Sequence, residues 1–273
     1  MTASAWNAAE RSLNGGYDSE RAAMARLWGF WGGGKDRNPA DLALGEKVAA
    51  VFPQIRSLAQ QRNVFRTRAT RALVECGLDQ LLVVGTDMPL RDEVHEIAFS
   101  INPRVRVVYA DADELVMLYA KALFYSRRPD VDPCGFVWAG LDDPRAVLDG
   151  AAAILDLGRP VGVLLINSLD VLPDPQAVAA LTAFRTALVA GSHIAFCHLT
   201  GEYDRRLVEL SSLCADISPG PPRVRAPHAL VKLFAGLEMI EPGLVSAPAW
   251  RPEPGRWPVP DGVDLWCGVG VLP

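Results

Sequence analysis

The chain lacks the short signatures that assign a chemistry by spacing alone. It has no P-loop, no Gly-x-Ser-x-Gly nucleophile elbow and no metal-ligand cluster. Its five cysteines (Cys76, Cys134, Cys197, Cys214, Cys267) are odd in number and show no CxxC spacing, which argues against a disulfide framework or a zinc site and for reduced, mostly buried thiols. The first residues show neither a basic n-region nor an apolar h-region, so no signal peptide is expected, and the longest apolar runs, such as 161–166, are strand-length. There is no basic excess: a formal net charge of −5 argues against a nucleic-acid backbone or an anionic membrane as the main partner. Arg62, Arg66, Arg68 and Arg71 form one local basic helix face, read here as solvated surface. What remains is a soluble, cytoplasmic protein that handles a small molecule, alone or as a homo- or hetero-oligomer, with no metal.

What is present is an alternation of strands and helices. Leu81-Leu82-Val83-Val84 followed by Gly85-Thr86 and a helical pattern reads as a buried parallel strand turning into a helix. In doubly wound sheets this turn is where a nucleotide-like ligand lies. About 20 residues on, the β-rich run Val105 to Ala110 ends in Asp111, where such folds place a ribose-binding carboxylate. Further strands are expected at 135–139, 160–167, 192–199 and 263–271, with helices at 114–125, 144–155, 174–188 and 228–235, and the 114–125 helix presents Leu115, Leu118, Ala122 and Leu123 on one apolar face. This spacing predicts a mostly parallel sheet covered on both sides. Residues 1–18 read as a flexible N-terminus, 19–78 as a helical segment, which the resemblance given below makes a lid or cap, and 79–273 as the core of one domain.

Several stretches, in order, carry a family resemblance. They are Gly33-Gly34-Lys35-Asp36, Gly85-Thr86 with Pro89, Val94-His95-Glu96, Val108-Tyr109-Ala110-Asp111, Asp142-Asp143-Pro144, Arg159-Pro160-Val161, Leu172-Pro173-Asp174 and Glu238 to Leu244. Together they resemble a family of actinobacterial S-adenosylmethionine-dependent methyltransferases. The resemblance implies an α/β class I methyltransferase (Rossmann-like) fold: a doubly wound seven-stranded sheet with an antiparallel last strand and an N-terminal helical lid over the cofactor. The cofactor motif departs from the family's pattern. Val83 stands where the family has the acid that meets the methionine ammonium, and Asp87 replaces the second glycine of the turn. Leu90 replaces a polar residue, Gly140 the aspartate that binds the adenine amino group, and Asp170 a histidine. Losing a charged partner from a desolvated group costs on the order of 2–5 kcal/mol. Asp87 can either replace the missing acid or obstruct the site, since only glycine normally fits there.

The candidate cofactor-binding residues are therefore Gly85, Thr86, Asp87, Asp111, Ala112, Gly140, Leu141 and Asn167, with Phe30, Lys35 and Asp36 in the lid and Asp170 and His95 as catalytic candidates. Each has a plainer role open to it. Asp111 and Asp113 can cap the next helix, His95 can sit on a helix surface, and Trp28, Phe30 and Trp31 can simply pack. Asp142 and Asp143 read as caps of the Pro144 helix. Three functions are compatible with this reading: a methyltransferase acting on a small molecule, such as one of specialised metabolism; a methyltransferase-fold enzyme without S-adenosylmethionine that runs an intramolecular substitution or ring closure; and a non-catalytic partner subunit.

Overall fold

One sheet runs through the molecule, in the order β3-β2-β1-β4-β5-β8-β6, with β7 also paired to β8. Its strands are β1 (Gln80–Val84), β2 (Arg106–Asp111), β3 (Cys134–Trp138), β4 (Gly162–Ile166), β5 (His193–Leu199), β6 (Glu238–Met239), β7 (Val245–Ser246) and β8 (Leu265–Val271). The structure is a computed structural model that describes residues 20–125, 134–253 and 262–273. The segment 1–18 expected to be flexible lies outside the described residues. Strands β1 to β5 pair in parallel, whereas β6, β7 and β8 run antiparallel, as expected for a class I methyltransferase fold. Every residue of β1 and β4 is buried, because helices cover both faces of the sheet and leave no polar side.

The helices are α1 (Met24–Trp31), α2 (Pro39–Val51), α3 (Ile55–Glu75), α4 (Val94–Ile101), α5 (Glu114–Tyr125), α6 (Pro144–Ala152), α7 (Asp174–Ala187), α8 (Leu210–Leu213) and α9 (Pro227–Leu233). Their starts follow local chemistry. Asn38 accepts from Asp41 N at 2.7 Å while Asp41 accepts from Asn38 N at 3.0 Å, a reciprocal cap with Pro39 at the first helical position of α2. Asp113 accepts from Leu115 N and Val116 N and so caps α5, and Asp143 accepts from Ala146 N and caps α6. Helices α1 to α3 join the core on the face that holds Trp28, Phe65, Tyr109 and Trp250. A second core on the opposite face is built around Leu82, Val163, Phe184 and Phe196. Among the described residues no helix is long and apolar enough to cross a membrane.

Two expectations are corrected here. On α5 the residues Val116, Met117, Ala120 and Phe124 face the core, and Leu118 and Leu123 are exposed. The helix is apolar on both sides, and the face with Phe124 wins because it meets the rings of Tyr109, His95 and Phe136. The arginines of α3 are not one solvated face. Arg62 and Arg66 are buried, and of the four arginines expected to form that face only Arg71 is exposed. Their positions continue the stripe Leu58, Ala59, Phe65, Ala69 and Leu73, which the period of 3.6 residues turns toward the sheet.

Candidate active site

A cavity of about 720 Å³ opens at the carboxyl ends of β1, β2 and β4, under α1. Its floor is the turn after β1. Gly85 has φ of +82°, and a Cβ built on it would lie 2.8 Å from Cβ of Ser168, so both the backbone angle and the neighbouring β4 loop demand glycine. Asp87 keeps the left-handed backbone, at φ of +60°, that a glycine adopts freely. The turn thus carries a carboxylate in a backbone conformation that favours glycine.

Asp111 holds this turn. Its Oδ2 accepts from Thr86 N at 2.8 Å and from Asp87 N at 3.4 Å, and its Oδ1 accepts from Asp113 N at 2.8 Å. Burial pushes its carboxyl up to about 7, against the stabilising backbone bond from Asp113. The side chain reaches the cavity wall, so it can take a proton or accept a hydroxyl from a ligand near neutral pH. Along the β3 side the wall is Ala112, Gly140, Leu141 and Asp142. A Cβ at residue 140 would come within 2.5 Å of Asp142 Oδ1 and 2.9 Å of Ala112 Cβ, so this stretch is open only because residue 140 is glycine.

The β4 side carries Asn167, also left-handed at φ of +61°. Its Nδ2 donates to Asp170 Oδ2 at 2.7 Å, and its Oδ1 accepts from Arg62 Nε at 3.0 Å. Arg62 Nη2 donates to the Ile166 carbonyl at 2.8 Å and pairs with Asp87. The guanidinium carbon lies 5.2 Å from the ring centre of Trp28 on α1. Desolvation pushes the Asp87 carboxyl up, opposed first by the charge of Arg62. The roof is completed by a strap, Ser218-Pro219-Gly220-Pro221, which is stitched to the lid: Ser218 N donates to Ala22 O at 3.0 Å and Met24 N to Ser218 O at 3.1 Å.

Of the cofactor-binding candidates, Gly85, Asp87, Asp111, Ala112, Gly140, Leu141 and Asn167 all line this cavity. Thr86 is behind it, acting through its backbone on Asp111. The two catalytic candidates are not brought to the cavity. His95 is buried in an aromatic cage, with its backbone N 3.0 Å and its Nδ1 2.9 Å from the Tyr109 hydroxyl and its ring against Phe99 and Phe124. Asp170 lies beneath Asn167, where Oδ2 also accepts from Leu199 N at 3.3 Å and Oδ1 is 3.1 Å from His198 Nε2. Burial pushes Asp170 up to about 7 and His198 down to about 3, helped by the Arg225 guanidinium at 2.5 Å from Nε2. Within the lid, Phe30 is packed into the core over Gly45, and Lys35 and Asp36 are exposed away from the cavity.

Trp28, weighed in the sequence between a ligand wall and core packing, lines the roof; sequence reasoning missed Met24 beside it, Asp142 as a wall residue, Arg62 as the partner of Asp87, and the strap. The helical stripe through Leu58 and Phe65 was the available sign for Arg62. Nothing local marked the strap, which reaches the lid only through the tertiary fold.

A parallel sheet of this order, an antiparallel end and a cavity at the switch point after β1 define a class I methyltransferase. Solved structures agree. The chain superposes on a candidate methyltransferase from Thermobifida fusca with a TM-score of 0.86 at 26% identity, covering 93% of this chain and 96% of that one. It superposes on a DUF574 family protein from Streptomyces avermitilis with a TM-score of 0.84 at 29% identity, covering 94% and 99%. Proteins of curated function yield no match. The S-adenosyl methyltransferase family model matches residues 10–273, and the chain belongs to that family.

Proposed function

We propose that this protein transfers a methyl group from S-adenosylmethionine to a small molecule. The observation that carries the reading is Asp111, locked by the glycine turn and facing a cavity whose volume lies within the roughly 300–1,000 Å³ of small-molecule sites. The residues present fit the cofactor: Asp111 can accept ribose hydroxyls, Ala112 and Leu141 can flank the base across the space left at Gly140, and the turn from Gly85 to Asp87 with Asn167 can take the amino-acid tail. Bound there, S-adenosylmethionine supplies an electrophilic methyl on a sulfonium. The chain itself contributes enclosure and orientation, with Trp28 and Met24 excluding water from above. Arg223 and Gln176 at the rim offer polar contacts to the acceptor, and an acceptor bearing negative charge suits the exposed arginine. His95 and Asp170 are positioning and structural groups in this reading, since neither lines the cavity.

A second reading, in which the fold is kept and methyl transfer is lost, is favoured by the Arg62–Asp87 pair beside the tail region. Calorimetric titration with S-adenosylhomocysteine separates the two. Saturable binding in the micromolar range, weakened roughly tenfold by Asp111→Asn through loss of a charge-assisted acceptor, is expected. Absence of binding at millimolar ligand contradicts the methyltransferase reading.

A further inference from the structure

Arg62 is a buried guanidinium whose Nε and Nη2 are hydrogen-bonded, yet it does not itself line the cavity. Its partners do: Ile166, Asn167, Asp87 and Trp28 all contribute to the wall. Two of them, the Ile166 carbonyl at 2.8 Å and Asn167 Oδ1 at 3.0 Å, are neutral oxygens. The carboxylate comes from Asp87, while the neighbouring Arg66 has its own in Glu93 at 3.3 Å. Asp87, at a left-handed position of the turn, both pairs with the guanidinium and lines the open space, which Arg62 does not.

Resting on the cofactor reading above, we infer that Asp87 is an internal carboxylate that occupies Arg62 and screens it from the cavity, which makes Asp87 the residue that decides whether the tail carboxylate of an adenosyl ligand is recognised. A buried arginine without a counter-charge is costly, so a chain lacking the Asp87 carboxylate offers Arg62 to whichever carboxylate enters. With Asp87 present the clamp is already filled. Adenosyl thioethers with and without a carboxylate then bind alike, held by their nucleoside end at Asp111.

The test is a pair of ligands against four proteins, read by calorimetry and by ligand-induced shifts in melting temperature. The ligands are S-adenosylhomocysteine and its decarboxylated analogue, which keeps the amine. The proteins are the wild type, Asp87→Gly, Asp87→Asn and Asp87→Gly with Arg62→Met. Glycine and asparagine both tolerate the left-handed backbone, so the turn is preserved, and Asp87→Asn guards against a glycine variant too unstable to titrate. The wild type should bind the two ligands within roughly threefold of each other. In Asp87→Gly the carboxylate-bearing ligand should be preferred by roughly tenfold or more, Asp87→Asn should be intermediate, and removing Arg62 should erase the preference. An equal preference in wild type and Asp87→Gly overturns the inference while leaving the cofactor reading intact. So does weaker binding of both ligands by both single variants, which would mean that Asp87 holds the ligand's ammonium. Failure of all four proteins to bind either ligand overturns the cofactor reading and the inference with it.

Discussion

Asp111 and Asp170 are carboxyls that the fold moves from an ordinary 3.8 up to about 7, chiefly by burial, and they do different work with it. Asp111 uses backbone amides to shape the turn. Asp170 is wedged among Asn167, Leu199 N and His198: its Oδ2 accepts from Asn167 Nδ2 and Leu199 N, while its Oδ1 lies 3.1 Å from His198 Nε2 without a hydrogen bond, because that nitrogen accepts from Arg225. That imidazole stays neutral because burial and Arg225 hold it down to about 3, with its Nδ1 donating to the Leu199 carbonyl at 2.8 Å. Because the folded values lie above the unfolded ones, folding takes up protons. The associated stability is complete below about pH 4 and is lost as pH rises through about 7. Asp170→Asn keeps the shape of the side chain and removes one titration. Between pH 5 and pH 8 its unfolding free energy should gain about 2 kcal/mol relative to wild type. Denaturant melts at the two pH values check this, and parallel changes in both proteins would contradict it.

At the scale of elements, α1 is tied to its neighbours by one side chain, Arg26. Arg26 of α1 donates from Nε to Asp41 at 2.8 Å, from Nη1 to Asp113 at 2.5 Å and from Nη2 to the Arg21 carbonyl at 2.7 Å. It thereby joins the lid to the caps of α2 and α5. Asp41 is fully buried, so Arg26→Ala strands a carboxylate and should cost about 3–5 kcal/mol, with faster amide exchange along 24–31 and weaker binding of S-adenosylhomocysteine. Arg26→Lys should recover only part of this, because an ammonium cannot span three partners; exchange unchanged in Arg26→Ala would contradict the tether. The strands were legible in the sequence because continuous apolar runs such as Val161 to Ile166 have no polar face to confuse them. The orientation of α5 was not, since a helix apolar on two sides encodes no preference until the aromatic partners are in place. Arg62 and Arg66 were hidden for a related reason: as residue types arginines suggest solvent, and only their phase on α3 shows that they point inward.

For the whole molecule, the site falls where the topology puts it, at the carboxyl ends of the central parallel strands, between a core packed against α3 and one packed against α7. The glycine turn and Asp111 could be placed from the sequence because their spacing follows the strand-turn-helix-strand unit, and Gly140 because the family resemblance marks its position. The catalytic expectation for His95 and Asp170 could not be tested in that way. Loop positions near a strand end differ by a single backbone angle between facing the cavity and facing the core, and here Asn167 at φ of +61° takes the exposed place and sends Asp170 below it. The central claim is that the cavity beneath α1 holds an adenosyl ligand through Asp111. A crystal structure with S-adenosylhomocysteine tests it most directly. The account predicts density for the ribose against Asp111 and for the base between Ala112 and Leu141; a cavity that stays empty at saturating ligand, or a ligand seated elsewhere, would contradict it.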